Sequence, residues 1–295
     1  MSIFEEIKQS YKQGSTLHKL IYINVGVFLA LHVVVIFLVL FNQMNREAGI
    51  SQILDYLAVP SDLGELARKP WTPVTYMFTH SRFYHILFNM YILFWFGRYF
   101  IEEFGQKKLL GVYLLGGLAG AALYVLSFNL LPYFAGDVAM SAAIGASASV
   151  MAVVVAVATV VPNRKINLMF IGQVKILYLA LFIFITSTIL DFTDNTGGKI
   201  AHIGGALLGY LFAIRYLKGK DVTRGFDHFM DSFSTLFHKK QKMKVTYKKS
   251  SDDMEYNRQV KEEQHEIDKI LDKISKGGYD SLTKSEKETL FKMKK

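Results

Sequence analysis

The sequence predicts an all-α membrane protein: a polytopic bundle of six transmembrane helices followed by a small helical tail. The 295-residue chain has a mean hydropathy of +0.23, although 20% of its residues are charged. Residues 20–217 are mostly apolar, and residues 218–295 are mostly polar. Repeated apolar runs of about 20 residues, each long enough to cross a bilayer, indicate a membrane domain. The six predicted spans are 20–41, 74–97, 109–130, 140–161, 174–192 and 199–217.

The basic residues orient these spans. Lys and Arg are more frequent at the chain ends and in the connections after spans two and four than in the other connections. Because positively charged loops tend to stay inside, we expect both termini in the cytoplasm. The predicted organisation is a cytoplasmic N-terminal segment (1–19), a six-helix membrane domain (20–217) and a basic cytoplasmic tail (218–295).

Composition excludes several classes of site and partner. The chain has no cysteine, which excludes disulfides, a cysteine nucleophile and cysteine-ligated metals. The net charge of +9 is concentrated in the tail, where binding to anionic lipid explains it better than nucleic-acid binding. The first apolar run is too long for a cleavable signal peptide. With no sorting signal, we expect a bacterial cytoplasmic membrane, and a mitochondrial or other organellar membrane is the alternative.

The connection from Asn42 to Thr72 is long and partly apolar. It fits a short amphipathic element in the membrane interface, and it fits an ordinary ordered loop equally well.

Polar side chains inside a bilayer are costly and therefore indicate function. His85 and Asn89 are four residues apart, so they share a helix face near the outer end of span two; His80 belongs to the same end. A structural role for His85, bonded to a backbone carbonyl, is the simpler alternative.

Span four opens with small residues around Gly145, Ala146, Ser147 and Ser149. A lone serine in a membrane helix is usually a packing residue. A glycine turn entering a helix, however, leaves free N–H groups beside the serine oxygen, and these can bind an oxyanion.

His202 in span six follows Ala201, which repeats with Gly205 and Gly209 at four-residue spacing. Such a face lets helix backbones approach closely, and span four has a matching alanine face. If the two faces meet, His202 comes near Ser147 at the same depth. A histidine base beside a serine is the requirement for nucleophilic catalysis, whereas the simpler explanation is glycine packing around a core histidine.

Four segments together resemble the rhomboid intramembrane proteases. They are residues 71–80 (WTPVTYMFTH), 85–89 (HILFN), 145–148 (GASA) and 201–205 (AHIGG). They occur in that family's order, and the resemblance covers about residues 20–217.

The resemblance implies an intramembrane serine endopeptidase with Ser147 as nucleophile and His202 as general base. It implies that His85, Asn89 and the N–H of Ser147 bind the oxyanion, supported by the Gly145-Ala146 turn. It further implies membrane-anchored protein substrates and no metal or cofactor.

Two features depart from the family pattern. The family has glycine after the nucleophile, where this chain has Ala148. The first outer loop often carries a Trp-Arg pair in the family, and residues 42–72 contain none.

Several other classes remain alternatives. The main one is a catalytically inactive rhomboid-like protein that binds membrane proteins, although such proteins usually lose Ser147 or His202. A transporter would favour mid-membrane charges and an inverted repeat, whereas Asp191 and Asp194 look like loop residues. Metalloprotease and aspartyl protease motifs are missing from the sequence.

The sequence of the tail predicts three further helical segments. The first is basic and amphipathic, and it lies on the membrane surface or packs on the protein itself; its spaced aromatic residues are Phe226, Phe229, Phe233 and Phe237. The other two form a hairpin after a polar linker (246–257). Gly277 and Gly278 end its first helix, and a capping box from Thr283 to Glu286 opens its second. We expect the hairpin to bind an unknown cytoplasmic partner or the membrane domain.

Overall fold

The computed structural model describes residues 14–168, 172–190, 195–237 and 251–292. The chain divides into two units, Met1–His238 and Lys239–Lys295. The helices of the first unit are α1 (Thr16–Asn42), α2 (Arg46–Leu57), α3 (Leu63–Arg68), α4 (Thr72–Thr75), α5 (Phe83–Phe104), α6 (Gln106–Leu130), α7 (Ser147–Val160), α8 (Ile176–Phe184), α9 (Thr196–Leu217) and α10 (Arg224–Phe237). Its strands are β1 (Val59–Pro60), β2 (Ala142–Ala143), β3 (Lys165–Leu168) and β4 (Gly172–Lys175).

The six-helix membrane bundle is confirmed, and it consists of α1, α5, α6, α7, α8 and α9. Of the described helices, α1, α6 and α9 are long and apolar enough to cross a membrane by length and composition alone. Helix α7 is shorter, and α8 continues as a π-helix over Ile185–Ile189. Both are apolar. The bundle core is built on α6, α7 and α9, which pack tightly on one another.

Three predicted span boundaries were wrong. Span two was expected at 74–97, but α5 begins only at Phe83 and continues to Phe104. Residues before it form α4, which starts beside Pro73, and a 3₁₀ turn at Tyr76–Phe78. Span four was expected from residue 140, but α7 begins at Ser147. The reason is that Ala142 and Ala143 are extended and pair antiparallel with Pro60 and Val59.

The connection between α1 and α4 is ordered and largely helical. It contains α2, α3 and the β1 strand, and Trp71 Nε1 donates a hydrogen bond to the Tyr56 carbonyl at 2.9 Å. Ser61 Oγ donates to the Val138 carbonyl at 2.7 Å, and Asn129 donates to the Ser61 carbonyl at 2.8 Å. The two bonds of Ser61 tie the connection to the segment that leads into α7 and to the end of α6.

The opposite end of the bundle carries the connections after α5 and α7 and the start of α10; we call it the tail side. Here Arg164 bonds to Glu102 at 2.8 Å and to Glu103 at 3.3 Å. Lys108 and Asp221 form an ion pair at 3.2 Å. A Cβ at Gly111 would lie 3.1 Å from Thr223, which immediately precedes α10, so the approach to that helix packs on α6.

The predicted helical tail is confirmed where the structure describes it. The first tail segment is α10, although the side chains of Phe229, Phe233 and Phe237 lie outside the described residues, as do 1–13, 246–250, Asp191 and Asp194. The polar linker was expected to extend to residue 257, but the chain is already helical from Ser251 onward. The second unit contains α11 (Ser251–Gly277) and α12 (Lys284–Lys292). Gly278 has a φ of 72°, and the capping box forms, with the Thr283 N–H donating to Glu286 at 2.7 Å.

Candidate active site

The small-residue faces of α7 and α9 are in direct contact. A Cβ at Gly205 would overlap the carbonyl oxygen of Ala148, and one at Gly209 would overlap that of Ala152. Only glycine permits so close a backbone approach. The contact brings His202, three residues before Gly205, to the level of Ser147, the residue before Ala148.

Helix α6 packs against the same junction from another side. A Cβ at Gly120 would lie 2.6 Å from the Ala148 Cβ and 2.8 Å from the Ala201 carbonyl. The residues directly after Ser147 and directly before His202 are therefore both held by one glycine of a third helix.

Ser147 and Ser149 have different surroundings although both lie in the first turn of α7. Ser147 is half-buried, whereas Ser149 is fully buried. The Ser149 hydroxyl points toward Gly117 of α6, 2.6 Å from the position of a Cβ there, and it has no hydrogen-bond partner among the residues that the structure describes. Of the two serines, Ser147 is therefore the one a reactant can reach.

The His202 ring is oriented by the π-helical end of α8. Its Nδ1 lies 3.0 Å from the Ser187 carbonyl oxygen and 3.4 Å from the Thr188 hydroxyl. Because a carbonyl oxygen only accepts hydrogen bonds, Nδ1 carries the proton in the neutral ring. Nε2 then holds the lone pair, which is the arrangement that a general base requires.

Among the described residues, no hydrogen bond joins Ser147 to His202. Within these residues, the His202 ring forms hydrogen bonds with Ser187 and Thr188. A base and its nucleophile are often further apart without substrate than with it. The structure thus brings the two residues to neighbouring positions without a direct bond.

The turn before Ser147 is held by two backbone hydrogen bonds. Gly145 has a φ of 115°, and its N–H donates to the Tyr76 carbonyl at 2.8 Å. The Ala146 N–H donates to His80 Nε2 at 3.3 Å. These two N–H groups are therefore occupied. The N–H of Ser147 lies in the open first turn of α7, where it has no intrahelical acceptor and can donate to a ligand.

His85 and Asn89 lie beside this turn. The His85 ring packs on Gly145 so closely that a Cβ there would be 2.6 Å from its Cε1. Asn89 is buried, and one N–H of its amide donates to the His85 carbonyl at 2.8 Å. The amide keeps a second N–H, and a neutral His85 ring carries one N–H of its own, so both predicted oxyanion residues have a donor.

Sequence reasoning placed His80 at this end of the bundle but gave it no role. It is fully buried, its ring lies 5.0 Å from that of His85, and its Nε2 accepts the Ala146 N–H. The contact could not be predicted from local spacing, because His80 is far from Ser147 along the chain. Its position in the 71–80 segment, one of the four that carry the resemblance, was the signal that it has a role.

Metal-assisted chemistry has no ready ligands in the described part of the chain. No group of three or more His, Cys, Asp or Glu side chains is placed there to hold an ion.

Two parts of the chain match known protein families. Residues 67–219, slightly more than half of the chain, match the Rhomboid domain. The chain belongs to the rhomboid family. Residues 250–293 match a separate family of unknown function, which coincides with the α11–α12 hairpin.

Several relatives share the rhomboid region. The chain is 30% identical to RHOMBOID-like protein 12, mitochondrial, of Arabidopsis thaliana over 160 residues, covering 50% of this chain and 47% of the relative. It is 30% identical to the human presenilin-associated rhomboid-like protein, mitochondrial, over 146 residues, covering 45% and 34%. Rhomboid protease AarA of Providencia stuartii is 27% identical over 158 residues, covering 50% and 56%. The chain thus spans between about a third and just over half of these relatives' lengths.

These matches correct the expected location. The sequence analysis expected a bacterial cytoplasmic membrane, but the Arabidopsis protein and the presenilin-associated relatives are named as mitochondrial. The absence of a recognisable sorting signal was a poor guide, because it is negative evidence. Integration into a membrane stands.

Proposed function

We propose that this rhomboid is an intramembrane serine endopeptidase that cuts membrane-anchored proteins in or near a transmembrane segment. Ser147 is the nucleophile and His202 the general base. The observation that carries the proposal is the 3.0 Å contact between His202 Nδ1 and the Ser187 carbonyl oxygen. It favours the tautomer with the proton on Nδ1, which leaves Nε2 as a base at the level of an accessible serine.

The first chemical step uses both residues. As Ser147 Oγ attacks the carbonyl carbon of the scissile peptide, its proton passes to His202 Nε2. The imidazolium that forms is stabilised through Nδ1–H by the Ser187 carbonyl. It then gives its proton to the amine nitrogen as the C–N bond breaks, and water hydrolyses the acyl-serine with His202 again as base.

Charge on the carbonyl oxygen develops beside the start of α7. The Ser147 N–H is unpaired in the helix, and the positive end of the helix dipole points the same way. His85, packed on Gly145, and the second amide N–H of Asn89 complete a set of donors for the oxyanion. Gly145 and Ala146 support this set by fixing the turn.

The substrate class follows from the depth of the site. Ser147 is the first residue of membrane helix α7, and His202 lies in the second turn of membrane helix α9, so a bond that reaches them must belong to a protein at the bilayer. A helical segment must unwind to expose its carbonyl to the serine, which favours substrates with weak helices.

A non-cleaving binder is the second candidate. Two observations favour it: within the described part of the chain no hydrogen bond joins Ser147 to His202, and Ala148 replaces the glycine of the family pattern. Ala148 keeps its N–H and packs with its backbone on Gly205, so the substitution leaves the geometry needed for catalysis in place.

Reaction with a fluorescent fluorophosphonate separates the two candidates. The probe labels a serine that its surroundings make nucleophilic. We expect wild type and Ser149→Ala to label, and Ser147→Ala and His202→Ala to lose labelling. Ser149 is the matched control because it lies in the same helical turn and faces away from the site. Equal labelling of Ser147→Ala and wild type, or no labelling of folded wild type, would favour the binder.

A further inference from the structure

The β3–β4 hairpin on the tail side has two chemically different faces. Its register pairs Lys165 with Lys175 and Asn167 with Gln173. Because alternate residues of a strand point to opposite faces, these four side chains share one face. The other face carries Ile166, Leu168 and Val174, of which Ile166 is buried in the bundle.

The polar face places two positive charges directly opposite each other. Side chains paired in this way lie about 5 Å apart at Cβ, and like charges there repel. Neither lysine has an ion-pair partner among the described residues, although Arg164 beside them is paired with Glu102 and Glu103. The face therefore holds two ammonium groups and two amides that can donate to a single anion.

An apolar groove starts at the base of the same hairpin. It has a volume of about 500 Å³ and runs between α7, α8 and α9. Its lining includes Pro162, three residues before Lys165, and Leu177, two residues after Lys175. The Leu177 N–H donates to the Pro162 carbonyl at 3.3 Å, so the hairpin base and the groove end are joined.

We propose that the hairpin and groove form a binding site for an anionic phospholipid. The phosphate lies on the polar face between Lys165 and Lys175, and an acyl chain occupies the groove. The two observations are complementary and independent: an unneutralised pair of cations at membrane-surface height, and an apolar channel that begins beside it and runs into the bilayer. This site is separate from Ser147 and does not depend on the proposed protease activity.

Native mass spectrometry of the full chain in detergent tests the site. The probes are dioleoyl phosphatidylglycerol, dioleoyl phosphatidylcholine and glycerol 3-phosphate, which has the anionic headgroup without acyl chains. Two surface cations favour the anionic lipid about tenfold or more. We therefore expect the protein to retain phosphatidylglycerol, to bind phosphatidylcholine about tenfold more weakly, and not to retain glycerol 3-phosphate.

Variants separate the two halves of the site. Lys165→Gln with Lys175→Gln should reduce the preference for phosphatidylglycerol about tenfold, whereas Lys218→Gln with Lys220→Gln, two exposed lysines of the basic tail, should reduce it far less because they do not adjoin the groove. Ala206→Phe fills the groove and should weaken the binding of phosphatidylglycerol although both lysines are present. If thermal unfolding shows that this variant is misfolded, Leu207→Trp is used in its place. The proposal would be overturned if both lysine double variants lost the preference for phosphatidylglycerol equally, or if wild type showed no such preference. It would also be overturned if glycerol 3-phosphate were retained, or if the groove variants bound phosphatidylglycerol as wild type does.

Discussion

The junction of α6, α7 and α9 and the neighbouring helix α8 are packed in opposite ways. In the junction, glycines and alanines let the backbones touch: Gly205 faces the Ala148 carbonyl, and Gly120 lies between Ala148 and Ala201. Helix α8 is lined on both sides by apolar grooves of about 500 Å³, and it ends in a π-helix. Its large side chains, such as Phe182, are exposed to the bilayer.

The proposed catalytic pair depends on both regions. The tight junction fixes the backbones that carry Ser147 and His202. The loose helix supplies the Ser187 carbonyl that orients the His202 ring. The position of the base is therefore set by the tightly packed part of the bundle, while its protonated nitrogen is set by a helix that is bordered by apolar grooves.

The largest effect on stability is expected at the closest backbone contact of the junction, where Gly205 meets α7. Gly205→Leu places a side chain into the backbone of α7, which cannot move aside without opening the junction. We expect a loss of about 3 kcal/mol or more in the free energy of unfolding, with loss of activity. Leu207→Phe on the exposed side of the same helix is the control. Unfolding in mixed micelles measures both, and a folded, active Gly205→Leu protein would refute the close approach.

Two phenylalanines provide a matched comparison of the two regions. Phe212 of α9 is 2% exposed and stacks on Phe100, whereas Phe182 of α8 is 65% exposed. Phe212→Ala should cost about 2–4 kcal/mol through lost packing, and Phe182→Ala less than about 1 kcal/mol. Similar losses for both variants would show that α8 is packed as tightly as the junction.

The turn before Ser147 gives a smaller effect that falls on activity. His80→Leu removes the acceptor of the Ala146 N–H, and we expect kcat to fall about 100-fold because the nucleophile is misplaced. His80→Gln keeps an acceptor and should recover most of that loss. KM and thermal stability are measured alongside. Equal activity in the two variants, or a loss that follows stability alone, would remove the positioning role of His80.

The smallest effect concerns the tail hairpin, which water surrounds. The pKa of Glu286 is lowered to about 2, because Lys273 and Thr283 hydrogen-bond to its carboxylate. A lowered pKa means that its contribution is present above about pH 4.5 and is lost as pH falls toward 2. The protection factor of the amides at the start of α12, which compares the measured exchange rate with the intrinsic rate at the same pH, should therefore fall across that range in wild type. Glu286→Gln should already have a low protection factor at neutral pH and show little change in it.

Much of this arrangement could be predicted because it depends on local patterns. The four-residue spacing of Ala201, Gly205 and Gly209 predicts a close helix contact, and that contact places His202 beside Ser147. The capping box at Thr283 and the glycines after α11 likewise act within a few residues, so the sequence contains their full cause.

The features that sequence reasoning missed depend on contacts distant in the chain. The late start of α7 requires the pairing of Ala142 and Ala143 with β1, and the role of His80 requires the turn at Ala146. Hydropathy alone extends a span through such segments because their residues are apolar. The β3–β4 hairpin had a readable signal: Lys165 to Leu168 alternate polar and apolar, as a strand does.

Cleavage of a membrane-anchored reporter tests the central claim most directly. The protein is reconstituted into liposomes with reporters whose single transmembrane segments differ in helix-breaking residues, and products are followed over time. We predict that wild type and Ser149→Ala cleave the reporters with weak helices, and that Ser147→Ala cleaves none of them. Cleavage by Ser147→Ala at the wild-type rate would contradict the assignment of the nucleophile and with it the proposed function.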